Sequence, residues 1–344
     1  MIQRRTCLRW AVGLLGAGVV PATCGKSRET LVWRERAMVG FGTTLWLKAA
    51  HTNADLLEAG LQAAVAAIRR VEWEMSLFDP DSALSRLNRQ GQLRAPAPHL
   101  WAVLHRARMV SSVSDGAFDV SMQPLWQLWS QAASQGALPS ARMVSQTRQR
   151  VNWRAIETSS SSIRLNLPGM KLSLNGIAQG YAADLVRKVL QSVGIDHALI
   201  DTGETTLLGQ APGQRAWTLG IEDAARHPSS PEAPPSVVSD GRAMATSSDA
   251  HTVFSADHRH HHIVDPHTGY SPTVWSSVTV LAPTCVMADA LTKVFFMLAP
   301  AQVLPAAQRW QVDVILQDKA GRWTSTLVHP LAEAHPDRFF NAQV

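Results

Sequence analysis

Apolar residues recur at helical spacing in three stretches of the chain, which predicts three helices, and we interpret a fourth segment as a helix as well. The first helix follows a strand candidate at residues 41–49, and the others cover residues 99–113, 180–193 and 284–298. The apolar face of the first helix is formed by Leu57, Leu61, Ala64, Val65 and Ile68. We interpret the first two helices as scaffold that faces the core.

Short runs with a β-type pattern lie between these helices. They are residues 160–167, residues 171–175 and the runs HALID, AWTLGIE and SSVTVLA. No regular βαβ alternation is present, so the sequence predicts an α+β fold with mainly antiparallel pairing. The Pro- and Ser-rich residues 226–236 are expected to form an exposed loop. The chain has no glycine fingerprint of a Rossmann domain or a P-loop, so any nucleotide must be held in another way.

The first 24 residues have the pattern of an export signal, a basic opening followed by a short apolar run. Arg4 and Arg5 resemble the twin-arginine type, and the apolar run is too short to span a bilayer. Two interpretations of its end stay open, cleavage near Ala22 or Cys24 and acylation of Cys24 as in a lipoprotein. In both cases we expect the mature protein outside the cytoplasm.

Composition and charge exclude some classes of protein. The 344 residues are 46% hydrophobic and 17% charged, which suits a globular core and not a disordered chain. The formal net charge of +5 falls to +2 once the three arginines of the first ten residues are removed, so nothing favours nucleic acid as a partner. Cys285 is the one cysteine well inside the mature chain, which excludes an internal disulfide there; we expect it to pack as a small apolar residue.

The segment SLNGIAQGYAAD (173–184) contains a strand-to-helix turn bracketed by Asn175-Gly176 and Gly180. Small residues let the backbone approach a ligand closely, and N–H groups at a helix start suit a phosphate. An ordinary turn that needs glycine explains the same residues equally well.

The segment SDGAFDVSMQPLWQLW (114–129) gives little evidence of a functional site by itself. Asp115-Gly116 has the composition of a turn, and Asp119 is a candidate helix cap or turn acceptor.

Histidines are concentrated in one part of the chain, with six of them between residues 251 and 267. Their spacing matches no standard zinc or copper pattern, and neighbours on a strand point to opposite faces. We therefore favour one functional histidine followed by a DPxTG turn, with Asp265 as a turn former. His258 and His260 are expected at the surface.

The segment TCVMADALTKVFFML (284–298) places Asp289 and Thr292 three residues apart on one face of a helix. A carboxylate, a hydroxyl and a backbone carbonyl are hard oxygen ligands, which suit Mg²⁺ better than Zn²⁺. A buried, hydrogen-bonded Asp–Thr pair without a metal is the alternative.

The motifs LSRLN, DGAFD, NGIAQGYAAD, DTGE, HHIVDPHTG and ADALT follow one another across roughly residues 35–300, an order that resembles the FAD:protein FMN transferase family, often called the ApbE family. The resemblance implies an α+β fold with two mainly antiparallel β units and flanking helices, with FAD in the cleft between them. It implies that residues 25–344 form one transferase domain. Such enzymes use Mg²⁺ to cleave FAD, attach FMN to a Thr or Ser hydroxyl through a phosphoester bond and release AMP.

Site residues carry over from the family by position. The metal ligands would be the backbone carbonyl of Gly176 and the side chains of Asp289 and Thr292, and His262 would be the general base. The FAD contacts would come from Met38, Phe78, Ala117, Phe118, Asp119, Ser173, Gln179 and Ile263.

Three positions depart from the family pattern. Gln179 replaces a frequent Lys or Glu, Ser248 replaces a Gly, and Lys293 stands where many members have a metal-binding Thr. Thr292, one residue earlier, would then supply the hydroxyl.

The resemblance also implies a partner and a compartment. The target would be a flavoprotein subunit of a membrane redox complex with an acceptor motif of the form D-x-x-S/T-G-A-S/T. An exported enzyme in the periplasm, anchored to the inner membrane if Cys24 is acylated, would meet such a target. The alternatives are a pyrophosphatase that hydrolyses FAD to FMN and AMP, a non-catalytic flavin-binding accessory protein and, more remotely, a metal chaperone that uses the histidine cluster.

Overall fold

The computed structural model describes residues 30–224, 235–250, 252–327 and 332–333. Their strands are β1 (Val32–Gly40), β2 (Thr43–His51), β3 (Gln92–Arg94), β4 (Ile156–Thr158), β5 (Ser162–Leu165), β6 (His197–Asp201), β7 (Thr205–Leu208), β8 (Thr218–Gly220), β9 (Pro235–Val238), β10 (Ala243–Ser248), β11 (Trp275–Ala282), β12 (Asp313–Asp318), β13 (Trp323–Ser325) and β14 (Ala332–Glu333). Their helices are α1 (Ala54–Met75), α2 (Ala83–Gln90), α3 (Pro98–Val113), α4 (Gln123–Ser134), α5 (Ala141–Arg148), α6 (Ala178–Ser192), α7 (Cys285–Phe296) and α8 (Pro300–Trp310). The predicted export signal and most of the predicted loop at 226–236 lie outside the described residues.

The described strands form three antiparallel sheets. The largest has eight strands in the order β1-β2-β6-β7-β10-β11-β12-β13. The other two have three strands each, in the orders β3-β5-β4 and β14-β9-β8. Strand β11 is buried along its whole length, as expected for an inner strand that is covered by other elements on both faces. The α+β class with antiparallel pairing is confirmed.

The four predicted helices are present as α1, α3, α6 and α7. Helix α1 begins after Asn53, whose side-chain oxygen accepts the N–H groups of Asp55 and Leu56. Its inner face buries residues that include Leu61 and Ile68. Over the residues described, none of the helices combines the length and the apolar character needed to cross a membrane.

Two apolar clusters fill the space between the large sheet and the helices. One joins β2, α1 and α6 through residues such as Leu47, Leu61 and Val186. The other joins α3, α7 and β11 through residues such as Leu100, Phe295 and Val278. Helices α6 and α7, which carry the predicted site motifs, are therefore held on both sides by packed core.

The strand predicted at residues 171–175 is wrong. Lys171 makes only an isolated bridge to Met122. The backbone groups of Leu172 bond instead to the side-chain amide of Asn88, at 2.7 Å for the N–H and 2.8 Å for the carbonyl. A side chain here takes the place of a neighbouring strand, which a β-type pattern cannot reveal.

Candidate functional site

Helices α6 and α7 cap each other's first turns with carboxylates. Asp289 on α7 accepts the N–H of Gly180 at Oδ2, at 3.0 Å. Asp184 on α6 accepts the N–H groups of Cys285 and Val286, each at 2.9 Å. Neither N-cap residue supplies a side-chain cap of its own, and first-turn N–H groups need acceptors. This exchange fixes α6 against α7 and orients Asp289.

Gly180 lets the two helices approach closely. A Cβ added there would lie 2.3 Å from the carbonyl oxygen of Cys285 and 2.8 Å from the Cβ of Asp289. The need for glycine at position 180 is therefore explained by helix packing, which neither of the two interpretations drawn from the sequence had anticipated. Its N–H, which could have served a phosphate, is already bonded to Asp289.

Lys293 holds the second carboxylate oxygen of Asp289. Its Nζ lies 2.6 Å from Oδ1 of Asp289 and 3.2 Å from the carbonyl oxygen of the same residue. The Asp289 side chain is fully buried, whereas that of Lys293 is 20% exposed. A Cβ added at Gly176 would lie 3.1 Å from Cε of Lys293. Two of the predicted metal ligands, Gly176 and Asp289, therefore come together, and an ammonium group lies with them.

Thr292, three residues after Asp289 on α7, is fully buried. Its hydroxyl donates to the carbonyl oxygen of Asp289 at 2.7 Å. The hydroxyl of Ser247 lies 2.7 Å from Thr292 Oγ1 and donates to it, because the Thr292 proton is already engaged. Asp289 and Thr292 are thus hydrogen-bonded through the backbone carbonyl of Asp289 and not through its carboxylate.

Glu204 brings a second buried carboxyl group to this centre. It ends the DTGE motif and accepts the N–H of Thr246 at 3.0 Å. Burial raises the pKa of Glu204 well above its usual range, the Asp289 carboxylate adds to the rise, and Lys293 opposes it. Glu204 therefore keeps its proton to a higher pH than an exposed glutamate does.

Gln179, a predicted FAD contact, lies against the turn of the DTGE motif. The hydroxyl of Thr202 donates to the backbone carbonyl of Gln179 at 2.8 Å. Gly203 has a φ of 93°, and a Cβ there would lie 2.0 Å from Nε2 of Gln179. Only glycine fits this position, so the motif and the start of α6 form one unit.

Asp119 organises the loop between α3 and α4. Its Oδ1 accepts both the N–H and the hydroxyl of Ser121, at 2.8 and 2.6 Å, and its Oδ2 accepts the N–H of Trp153 at 2.9 Å. Burial raises the pKa of Asp119. These bonds match the turn acceptor anticipated from the sequence. The loop also brings the buried Phe118 beside Gly176, with Cε2 at 3.5 Å from an added Cβ.

The consecutive histidines have different surroundings. His258 is exposed, as expected. The surface position expected for His260 is wrong, because its ring is partly buried and stacks on Trp129 with centroids 4.4 Å apart. His261 is fully buried, and burial lowers its pKa to about 4. His261 is therefore a neutral core residue.

His262, the predicted base, is half-buried beside these residues. Its Nδ1 lies 3.3 Å from the carbonyl oxygen of Thr252. A carbonyl only accepts, so this contact requires a proton on Nδ1, and in the neutral ring the lone pair is then on Nε2. Ile263, the next residue and a predicted FAD contact, is buried in the cluster that contains Phe118.

The DPxTG turn is tied to the DGAFD loop. Nε2 of His267 lies 2.9 Å from the carbonyl oxygen of Asp115, and Trp129 donates from Nε1 to the carbonyl oxygen of Gly269 at 2.9 Å. Asp265 accepts the N–H of His267 at 2.8 Å, which confirms that it is a turn former. Two motifs about 150 residues apart in sequence thus share one surface.

Other predicted contacts occupy separate surroundings. Met38 packs partly buried against the cluster of β2 and α1, and the Phe78 side chain is exposed. Ser173 donates its N–H to the carbonyl oxygen of Val120 at 2.8 Å, while Ala117 packs against the core beside Phe118. Across the described ranges, no three His, Cys, Asp or Glu side chains are grouped so that they could hold a metal ion.

Cys285 is a buried thiol at the start of α7, as expected from the sequence. Burial raises its pKa well above the usual value, and the neighbouring carboxylates add to the rise. A thiol of this kind stays protonated and is a poor nucleophile.

Reasoning from the sequence missed the roles of Glu204 and Lys293. For Lys293 a signal exists, since residues four apart on a helix face each other and Lys293 follows Asp289 by four. For Glu204 the partner is Thr246, on a strand that the sequence did not predict.

Comparisons with known proteins give related sequences and related folds. The ApbE family model matches residues 41–316. An FAD:protein FMN transferase of Treponema pallidum is 29% identical over 325 residues, which are 86% of this chain and 87% of that protein. The crystal structure of an ApbE protein from Thermotoga maritima superposes with a TM-score of 0.76 at 22% identity and covers 85% of this chain and 96% of that one, which supports the fold. The apo structure of the flavinyl transferase ApbE from Pseudomonas stutzeri gives a TM-score of 0.73 at 25% identity, with 86% of this chain and 94% of that one covered.

Proposed function

This chain belongs to the ApbE family, and from that premise we propose that it transfers FMN from FAD to a target protein. The observation that carries the proposal is the match over residues 41–316, which includes every predicted site residue except Met38. Curated relatives that cover most of this chain are FAD:protein FMN transferases.

The proposed reaction exchanges one phosphate ester for another. The hydroxyl oxygen of a Thr or Ser on the target attacks the phosphorus on the FMN side of the FAD pyrophosphate. A new P–O bond forms, the bond to AMP breaks, and AMP leaves with the electron pair. The hydroxyl proton has to be removed during this step.

We assign that proton transfer to His262. Its contact with Thr252 favours the proton on Nδ1, so that in the neutral ring Nε2 carries the lone pair that a general base requires. Its neighbour His261 is unsuited to this role, because it is fully buried and its Nε2 lies 3.1 Å from the carbonyl oxygen of Pro272.

The Mg²⁺ implied by the family does not fit these residues as they are folded. The carboxylate of Asp289 bonds to Gly180 through one oxygen and to Lys293 through the other. The hydroxyl of Thr292 is buried and bonded to the Asp289 carbonyl and to Ser247. A divalent ion at Asp289 would need an oxygen that Lys293 now holds.

The partner and the compartment are further parts of the proposal. The target is a flavoprotein subunit of a membrane redox complex that displays a D-x-x-S/T-G-A-S/T motif, and both proteins lie in the periplasm. The basic and apolar pattern of residues 1–24 supports export. A reporter fused to residues 1–30 should leave the cytoplasm, and Cys24→Ser should abolish membrane partition if that cysteine is acylated.

One incubation separates the proposed function from its alternatives. The protein is mixed with FAD and an acceptor subunit, with and without Mg²⁺, and flavin fluorescence of the denatured acceptor is measured together with free FMN and AMP. Transfer places the flavin on the acceptor with release of AMP. Free FMN with an unlabelled acceptor would show a pyrophosphatase, and intact FAD would show a flavin-binding accessory protein.

A further inference from the structure

The ammonium group of Lys293 lies where a cation would be expected in this site. Its Nζ contacts both Oδ1 and the backbone carbonyl oxygen of Asp289, at 2.6 and 3.2 Å. These are a carboxylate oxygen and a carbonyl oxygen, the ligand types that a hard cation would take. The donor set is therefore already used by a positive charge that belongs to the chain.

The surroundings of Lys293 are shaped for its side chain. An added Cβ at Gly176 would lie 3.1 Å from Cε and 3.4 Å from Cδ of Lys293, so the aliphatic stem passes close over this glycine. Phe118 closes the same space, with Cε2 at 3.5 Å from that added Cβ. The head is anchored on a fully buried carboxylate while the side chain keeps partial access to solvent.

The charges at this site also favour Lys293 over a metal ion as the partner of Asp289. An isolated buried carboxylate is strongly disfavoured, and the ion pair with Lys293 compensates Asp289 without a metal. A divalent ion bound at Oδ1 would sit within a few ångströms of the ammonium group, and the repulsion between the two would oppose its binding. The ammonium group of Lys293 and a divalent ion are therefore not expected to occupy Oδ1 of Asp289 together.

We propose that Lys293 is the resident cation of this site and takes the place of a protein-bound divalent metal ion. The ammonium group, on a side chain that is 20% exposed, then supplies a positive point charge and hydrogen-bond donors to the phosphates of the flavin nucleotide. The inference deepens the proposed transferase activity, on which the role toward FAD rests. The exclusion of a metal by Lys293 does not depend on that activity.

The test measures binding of Mn²⁺, a spectroscopic probe for Mg²⁺ sites, to the folded protein without FAD and without acceptor. Free Mn²⁺ is followed by electron paramagnetic resonance for the parent, for Lys293→Thr and for Lys293→Thr combined with Asp289→Asn. We expect the parent to bind on the order of a hundredfold more weakly than Lys293→Thr, because the variant removes a nearby unit charge and supplies a hydroxyl oxygen as a ligand. Asp289→Asn should abolish the site gained.

The proposal is overturned if the parent protein binds one Mn²⁺ per chain as tightly as Lys293→Thr does. The proposal also fails if Lys293→Thr, folded as judged by circular dichroism, gains no site. If Lys293→Thr does not fold, Lys293→Gln is measured in its place, since glutamine also removes the charge and keeps more of the aliphatic part of the lysine side chain. Because no flavin is present, an inactive transferase leaves all of these results unchanged.

Discussion

Acidification should destabilise the protein through His261, a side chain that takes no part in the chemistry. The ring is fully buried, its Nε2 lies 3.1 Å from the carbonyl oxygen of Pro272, and its Nδ1 has no hydrogen-bond partner. A second ring proton would therefore place a charge on a buried nitrogen without an acceptor. Burial accordingly lowers the pKa of His261 from 6.5 to about 4.

The sign and size of the effect follow from proton linkage. A histidine whose pKa is lowered by folding contributes stability that is present above pH 6.5 and is lost as the pH falls toward the folded value of about 4. Between pH 8 and pH 5 the unfolded state takes up the proton and the folded state does not. The loss over that interval is about 2 kcal/mol, on the basis of ~1.4 kcal/mol per pKa unit.

The assay compares the parent with His261→Gln in urea unfolding at pH 8 and pH 5. Glutamine can donate to Pro272 and does not titrate, while all other titrating groups are common to both proteins. The parent should therefore lose about 2 kcal/mol more of its unfolding free energy than the variant between the two pH values. Equal losses in the two proteins would refute the assignment of His261 as a neutral core histidine.

Two further predictions test the base and the helix contact. His262→Ala should lower the rate of FMN transfer by ~10²–10⁴ and leave FAD binding nearly unchanged, with the exposed His258→Ala as its matched control; an unaltered rate at both pH 6 and pH 8 would show that the base lies elsewhere. Gly180→Ala should lower the melting temperature by roughly 5–10 °C, since the added Cβ would meet the backbone oxygen of Cys285 at 2.3 Å. Gly60→Ala, where the nearest atom is the Cδ1 tip of Ile195 at 2.6 Å, should cost less because that side chain can move, and equal shifts would argue against a rigid contact between α6 and α7.

Helices were easier to predict than strands because their signal is local. The apolar residues of α1 and α3 recur within one element, so the period itself shows the buried face. A strand needs a partner, and residues 171–175 bond instead to Asn88, which lies more than eighty residues earlier. Strand β10, which carries Thr246 and Ser247, contains few large apolar residues and gave no signal of its own.

The site was predictable in its motifs and less so in its contacts. Three adjacent histidines differ because Trp129 stacks on His260, Phe296 lies near His261, and the carbonyl of Thr252 faces His262. None of these partners can be identified from the run of histidines alone. The departure at Lys293 and its spacing of four residues from Asp289 were visible in the sequence, but the full burial of the Asp289 carboxylate was not. Asp289 and Gly176 are brought together as expected. The Asp289 carboxylate that was expected to bind Mg²⁺ is bonded instead to the ammonium group of Lys293.

The account's central claim is the transfer of FMN to a protein hydroxyl, and the intact mass of the acceptor tests it most directly. The acceptor subunit is incubated with this protein and FAD, beside an acceptor in which the Thr or Ser of the motif is replaced by Ala. We expect the first acceptor to gain the mass of FMN less one water while AMP appears in equal amount, and the second to keep its mass. An acceptor that gains no mass while FAD is converted to free FMN and AMP would contradict the claim.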